Sequence, residues 1–292
     1  MTQRFGPDQV TRWLRAGVRR VLLPGTVRAL GRRNAVRLAR FLTNELRFDG
    51  PNDMSANGEL LVQTSVLRGA RGSVTVLDVG ANVGDWTLAF VANAGVVGWS
   101  DYTIHAFEPS LDTARMLKAN VAEHASTARI FLHELGMSSA PGSAEFHIVG
   151  EGVGVNSVHR QPGTPVLRTE QAVMDTLDHF AESQSLREMT FVKVDTEGHD
   201  LSVMRGAAGL LQRSAIAVMQ FEYNHRWITP RTYLRDVFEL APANYRIGKV
   251  TPRGIEWYPQ WDPELESYRE GNYLLCREDA VGWFPAVRWW KT

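Results

Sequence analysis

The sequence predicts an α/β fold of the Rossmann-like kind, a mostly parallel sheet with helices on its faces, preceded by a helical N-terminal extension. Three observations predict it. Val74 to Val79 is an apolar, β-branched run such as a buried strand requires, and it turns through Gly80 and Gly84 into Trp86-Thr-Leu-Ala-Phe90, whose apolar spacing is helical. Further apolar runs at Tyr102–Phe107, Phe191–Val194 and Ile216–Phe221 alternate with helical stretches, the order of a parallel sheet. Carboxylates stand at the ends of these runs (Asp78, Glu108, Asp195 and Glu222), and ligands of open α/β sheets bind at that edge.

At 292 residues, with 44% apolar and 22% charged, the chain can bury one sizeable core. Its formal net charge is zero, which gives no reason to expect a nucleic-acid partner. The single cysteine, Cys276, excludes an internal disulfide and lies in a strand-like run, so it reads as a buried structural thiol. No stretch has the apolar length of a transmembrane helix, and the N-terminus lacks the pattern of a signal peptide, so a cytoplasmic protein is expected.

The charge is uneven. Residues 1–47 hold eleven arginines against Asp8 and Glu45. Val10, Trp13, Leu14, Val18, Val21 and Leu22 share a helical face expected to end at Pro24-Gly25, and a second basic helix is expected from Val27 to Leu42. The favoured reading is a cap whose apolar face packs on the domain while its arginines meet water. The competing reading is a peripheral membrane contact, a basic amphipathic surface touching anionic lipid or a lipid-linked substrate. Turn-rich residues 48–58 close this extension, which sets the expected boundaries at 1–58, 59–278 for the main domain and 279–292 for an aromatic tail.

Glu59 to Leu67 has helical spacing and leads into the first strand. The glycine turn after that strand is spaced Gly80-x-x-x-Gly84 and lacks the third glycine of a dinucleotide fingerprint. Asp78 would repel a pyrophosphate, but it suits a ligand with a cationic end. S-adenosylmethionine (SAM) carries an ammonium and a sulfonium and no phosphate, so the turn favours SAM over NAD. Glu108 follows by about twenty residues, at the tip of the next strand before Pro109, where a carboxylate accepts hydrogen bonds from two ribose hydroxyls. A cap for the helix expected over Leu111–His124 is the competing role.

Asp78-Val-Gly-Ala-Asn82-Val-Gly84, Phe107-Glu-Pro109, Met174-Asp-Thr-Leu-Asp178, Lys193-Val-Asp195-Thr-Glu197-Gly-His199-Asp200 and Phe221-Glu222 together resemble the FkbM family of SAM-dependent methyltransferases. These pieces occur in family order over roughly residues 60–250. The resemblance implies the class I SAM-methyltransferase fold, with a mostly parallel seven-stranded sheet and an antiparallel C-terminal strand. It implies O-methylation of a sugar, glycolipid or polyketide-type hydroxyl. It also places SAM against Asp78, Gly80, Asn82, Gly84 and Glu108, with Asp195 next to the donor's methyl group. At the third strand tip, after Arg129–His133, it places the adenine beside Glu134 and Gly136.

Beyond that tip, Pro141–Val149 reads as a turn and an extra strand, and residues 150–165 as a mobile loop. Val173 to Phe180 is expected to begin a helix in which Asp178 has a structural role. Leu201 to Leu211 is expected as one helix, with Asp200 as its N-cap. A helix over Tyr233–Leu240 and strands at Tyr245–Val250 and Tyr273–Cys276 complete the domain. The tail from Trp283 to Trp290 is expected to seal a surface, a homodimer contact being the alternative. Tyr223 and Trp227 have two readings, core closure or an apolar wall for the acceptor.

Asp195, Glu197 and His199 put three titratable groups within five residues at the ligand edge. Methyl transfer is an in-line displacement in which the protein orients the acceptor and removes its proton. His199 is the first candidate base, with Asp195 and Glu197 beside it. A minority reading binds Mg²⁺ through Asp195 and Glu222, with Asn224 or Glu197 as a further ligand. The competing functions are an inactive SAM-binding module and an NAD-dependent oxidoreductase.

Overall fold

The computed structural model describes residues 15–49, 53–125 and 128–291. The chain forms two compact units, Met1–Asp49 and Gly50–Thr292. Among the described residues, no helix is long and apolar enough to cross a membrane.

In the first unit a π-helical turn, Val18–Leu22, runs into helix α1, Leu23–Arg47. Pro24-Gly25 does not end the helix. Pro24 comes just after the π-helical turn, and its fixed φ is compatible with the helix continuing. The interruption comes at Gly31, whose φ of 73° is readily available only to glycine. The helix then continues past the expected Leu42 to Arg47, where the Phe48 N–H meets the Asn44 and Glu45 carbonyls. Val10, Trp13 and Leu14 lie outside the described residues, as does part of the 48–58 boundary.

The second unit is built on a nine-stranded sheet. Its strands are β1 (Val74–Val79), β2 (Tyr102–Phe107), β3 (Ile130–His133), β7 (Met189–Val194), β8 (Ile216–Tyr223), β9 (Tyr245–Thr251), β10 (Gly254–Tyr258), β11 (Gly271–Arg277) and β12 (Ala286–Val287). The order is β12-β10-β9-β11-β8-β7-β1-β2-β3. Strands β3, β2, β1, β7 and β8 are mutually parallel, and β11 enters antiparallel between β8 and β9. The run from β9 to β3 is the class I SAM-methyltransferase sheet, and β10 and β12 extend it.

Alternation along the strands divides the core into two layers. Val76, Ile104, Phe191 and Val218 face helices α2 (Glu59–Gly69) and α3 (Asp85–Val97), together with Trp86 and Phe90. Leu77, Val79, Val192, Val194 and Met219 face the other side, with Leu177, Leu201, Leu210 and Trp227. Helix α4, Leu111–His124, follows β2 as the spacing predicts.

A second sheet, β4-β6-β5, is inserted after β3 and comprises Gly136–Met137, Arg168–Asp175 and Gly142–Ile148. Here the helix expected from Val173 gives way. Val173–Asp175 ends strand β6, and helix α5 (Leu177–Ser183) starts after Thr176, whose hydroxyl accepts the His179 N–H at 3.1 Å. The single helix expected over 201–211 is two, α6 (Asp200–Arg205) and α7 (Ala208–Gln212). Gly206 lies between them, against the Ser138 carbonyl with no room for a Cβ. Asp178 caps α7, accepting the Gly209 and Leu210 N–H groups at 2.8 and 2.7 Å. The last helix, α8, spans Leu234–Leu240.

The tail belongs to this unit. Phe284 and Trp289 are buried, and the Trp289 ring meets Tyr258 edge-on at 5.4 Å. Cys276 is a free, buried thiol on β11.

Candidate active site

The site forms where β1, β2 and β7 end. The Gly80 and Ala81 N–H groups both donate to the Phe107 carbonyl, at 3.0 and 2.9 Å, and the Asp195 N–H donates to the Val79 carbonyl at 2.9 Å. These bonds draw three strand tips together. Gly80 has a φ of 83°, and a Cβ there would strike the Asp195 carbonyl oxygen, so only glycine permits this closure.

Glu108 is buried at the tip of β2. One carboxylate oxygen accepts the Asn82 N–H and the other the Ser110 N–H, both at 3.0 Å. Burial pushes the carboxyl up to about 7, against the pull of those two donors. Glu108 thus braces the turn into α4 and at the same time borders the cavity at the strand tips.

A cavity opens at these tips, bordered by Gly80, Asn82, Glu108, Gly136, Asp195, Glu197 and His199. Leu135, Met137, Phe146 and Met174 form its apolar side. Sequence reasoning missed these four. The one available signal was the alternation in β5 and β6 that buries Phe146, Ile148, Ala172 and Met174 together. The loop after β5 closes another side through Val153, Asn156 and Val158. Its first part, as far as Ser157, is tied down by side-chain hydrogen bonds. The Asn156 amide oxygen accepts the Val149 N–H at 2.8 Å, its amide nitrogen donates to the Gly150 carbonyl at 3.0 Å, and the Ser157 hydroxyl donates to the Glu197 carbonyl at 3.0 Å.

Three predicted contacts fall elsewhere. Asp78 is 1% exposed and turned into the α3 face of the sheet, where it accepts the Thr87 hydroxyl at 2.5 Å. Burial pushes it up to about 6. Gly84, at φ 97°, starts α3 and faces Leu117. Glu134 borders a separate depression beside α4 and β3.

The turn after β7 carries the densest chemistry. Glu197 and Gly198 take φ values of 56° and 98°, which fold the chain back sharply. The carboxylate of Asp200 accepts the Gly198 N–H at 3.1 Å, so Asp200 braces this turn, and His199 occupies the N-cap position expected for Asp200. Lys193 is buried, 2.7 Å from Asp195 and 3.8 Å from Glu59. Burial alone would lower its pKa, but these carboxylates hold it above its usual value. A lysine on so buried a strand has to be paired, and that was a legible signal. Arg226 pairs with Glu197 at 2.9 Å. Burial and the charge of Asp195 nonetheless push Glu197 up to about 9.

His199 shares hydrogen bonds with His159 Nε2 through Nδ1 at 3.1 Å and with the Ser138 hydroxyl through Nε2 at 2.9 Å. Burial, and secondarily His159, bring its pKa down to about 4, so the imidazole is neutral at physiological pH. His159 lies on the loop after β5, forty residues from its partner, and no local pattern marks it.

Asp195, Glu197 and Glu222 each present an oxygen within 4.8 Å of the others, a donor set suited to a hard cation. Lys193 and Arg226 already oppose two of these carboxylates. The Asn224 amide is committed, its nitrogen donating to Glu222 at 2.6 Å and its oxygen accepting the Arg226 N–H at 2.8 Å. Asn224 thus braces the turn, and of the two further ligands expected, Asn224 or Glu197, it is Glu197 whose oxygen lies with those of Asp195 and Glu222. Tyr223 and Trp227 are 0% exposed in the core, which settles their two readings in favour of core closure.

The protein-family model described as Methyltransferase FkbM domain matches residues 78–247, more than half of the chain. Hexuronic acid methyltransferase AglP of Haloferax volcanii is 27% identical over 176 residues, 60% of this chain and 65% of that protein. Among solved structures, the methyltransferase FkbM from Methylobacillus flagellatus aligns at 18% identity and a TM-score of 0.45, over 70% of this chain and 44% of its own. The O-methyltransferase from Bacillus cereus in complex with SAH aligns at 12% identity and 0.43, over 89% and 95%. The match thus spans less than two thirds of the AglP and Methylobacillus proteins. With the family match running from the Asp78 turn through both acidic strand tips, Glu108 and Asp195, and on into β9, the chain belongs to the FkbM methyltransferase family.

Proposed function

We propose that the protein is a SAM-dependent O-methyltransferase acting on a sugar hydroxyl. The observation that carries this reading is the convergence of Glu108, Asp195, Glu197 and His199 on one cavity with an apolar side. The cavity chemistry fits SAM. Glu108 accepts the ribose hydroxyls, Leu135, Met137, Phe146 and Met174 pack the base, and the carboxylates face the cationic end. When bound, SAM supplies a methyl group activated on a sulfonium. His199, neutral at working pH, takes the acceptor's proton on Nε2, where the hydroxyl displaces Ser138, while Nδ1 stays on His159. Lys193 and Arg226 fix Asp195 and Glu197 so that these orient the acceptor. The two protein cations that oppose the acidic cluster, Lys193 and Arg226, favour a metal-free reaction.

A sugar acceptor is favoured because AglP is by name a hexuronic acid methyltransferase, and because hydroxyl-rich rings suit carboxylate acceptors. Calorimetry with S-adenosylhomocysteine tests the donor site. Binding to the wild type that Glu108→Ala weakens about a hundredfold is expected, from the loss of two charge-assisted bonds. NADH binding in its place would overturn the reading.

A further inference from the structure

The first unit carries a second surface with its own chemistry. From Arg32 to Arg47, at 3.6 residues per turn, Ala35, Leu38, Ala39, Leu42 and Leu46 fall in one stripe of α1. Arg33, Arg37, Arg40, Asn44 and Arg47 occupy the opposite face. No residue of this helix is buried, and Leu38, Leu42 and Leu46 are 42%, 50% and 79% exposed, with Phe41 at the margin at 58%. Isolated exposed leucines are ordinary, but a continuous stripe on a highly charged helix marks a surface that meets something apolar.

We propose that this helix docks in the plane of an anionic lipid bilayer, its leucines and Phe41 at the acyl boundary and its arginines among the phosphates. Charge selects this occupant. Residues 15–49 hold nine arginines against two acids, Glu45 and Asp49, the latter paired with Arg47 at 3.5 Å, and the remaining surplus is one that anionic headgroups neutralise and that a second copy of the helix would double. Length and composition select the depth, because the helix is too charged to cross a bilayer and can only lie on one. The break at Gly31 sets the segment from residue 32 onward at an angle to the turns before it. This docking is independent of the proposed methyl transfer, and its test needs no turnover.

The experiment is co-sedimentation of the full chain with phosphatidylcholine vesicles, with and without phosphatidylglycerol. Binding to the anionic vesicles that falls with added salt is expected, with little binding to neutral ones. Leu38→Glu/Leu42→Glu is expected to weaken it by roughly tenfold or more. Both positions are exposed, so the fold persists, as circular dichroism checks. Equal binding by wild type and variant, no preference for anionic vesicles, or a dimer in light scattering that the double variant dissociates would each overturn the proposal.

Discussion

His159 shows how much of the proposed chemistry rests on a residue that touches the site only through another. Its Nε2 lies 3.1 Å from His199 Nδ1, which fixes the ring and leaves Nε2 as the nitrogen that faces a proton donor. Removing it frees the ring and removes a group that, once protonated at acid pH, helps burial to hold the His199 pKa down. His159→Ala should lower kcat on the order of tenfold with KM little changed. The acid limb of the pH–rate profile should move to higher pH, and His159→Gln should recover part of the loss. An unchanged limb with unchanged kcat would leave His159 as loop packing. Individual residues were unevenly legible. Glu108 was readable because a proline ends its strand and leaves the carboxylate at the edge. Asp78 was readable as acidic but not in its direction. It shares the α3 face of β1 with Val76, and its strand register sets it opposite Lys193. His159 was invisible, because its partner comes from another element.

Among the elements, the short ones depend on their neighbours. Helix α7 has five residues, too few to persist alone, and stands on the two N–H bonds that Asp178 accepts. Asp178→Ala should therefore cost about 1–2 kcal/mol in denaturant unfolding, in the range of a lost N-cap. It should leave S-adenosylhomocysteine binding unchanged, since Asp178 lies outside the cavity. Full stability in the variant would show that α7 is held by Leu210 and Leu211 packing alone. The central strands were legible because both of their faces are buried, so they read as unbroken apolar runs. Strand β6 was not, because only Ala172 and Met174 of its eight residues are buried and the rest read as polar surface. The split between α6 and α7 was hidden for a different reason. Gly206 breaks the helix through its contact with Ser138, a partner far away in the sequence.

At the scale of the whole molecule, the site gathers carboxyls that prefer to stay protonated, and this imposes a pH dependence on the unliganded fold. Glu197 is pushed up to about 9, Glu108 and Asp200 to about 7, in each case chiefly by burial. His105 and His199, brought down to about 4 by burial, act in the opposite sense, but only while the unfolded histidines are protonated, below about pH 6.5. Above that pH the histidine contribution is complete. The unfolded chain has by then released its carboxyl protons, while folded Glu197 keeps its own until about pH 9. The folded state therefore binds more protons, and stability falls as pH rises, by up to about 1.4 kcal/mol per unit for each retained proton. Thermal unfolding between pH 6.5 and 9 should show a declining midpoint. Glu197→Gln, which keeps the shape and removes one titration, should make the decline shallower, leaving the part due to Glu222, which burial also pushes up. An equal slope in wild type and variant would mean that Arg226, at 2.9 Å, keeps Glu197 ionised throughout. The acidic cluster would then act in catalysis as fixed charge, with no proton to exchange.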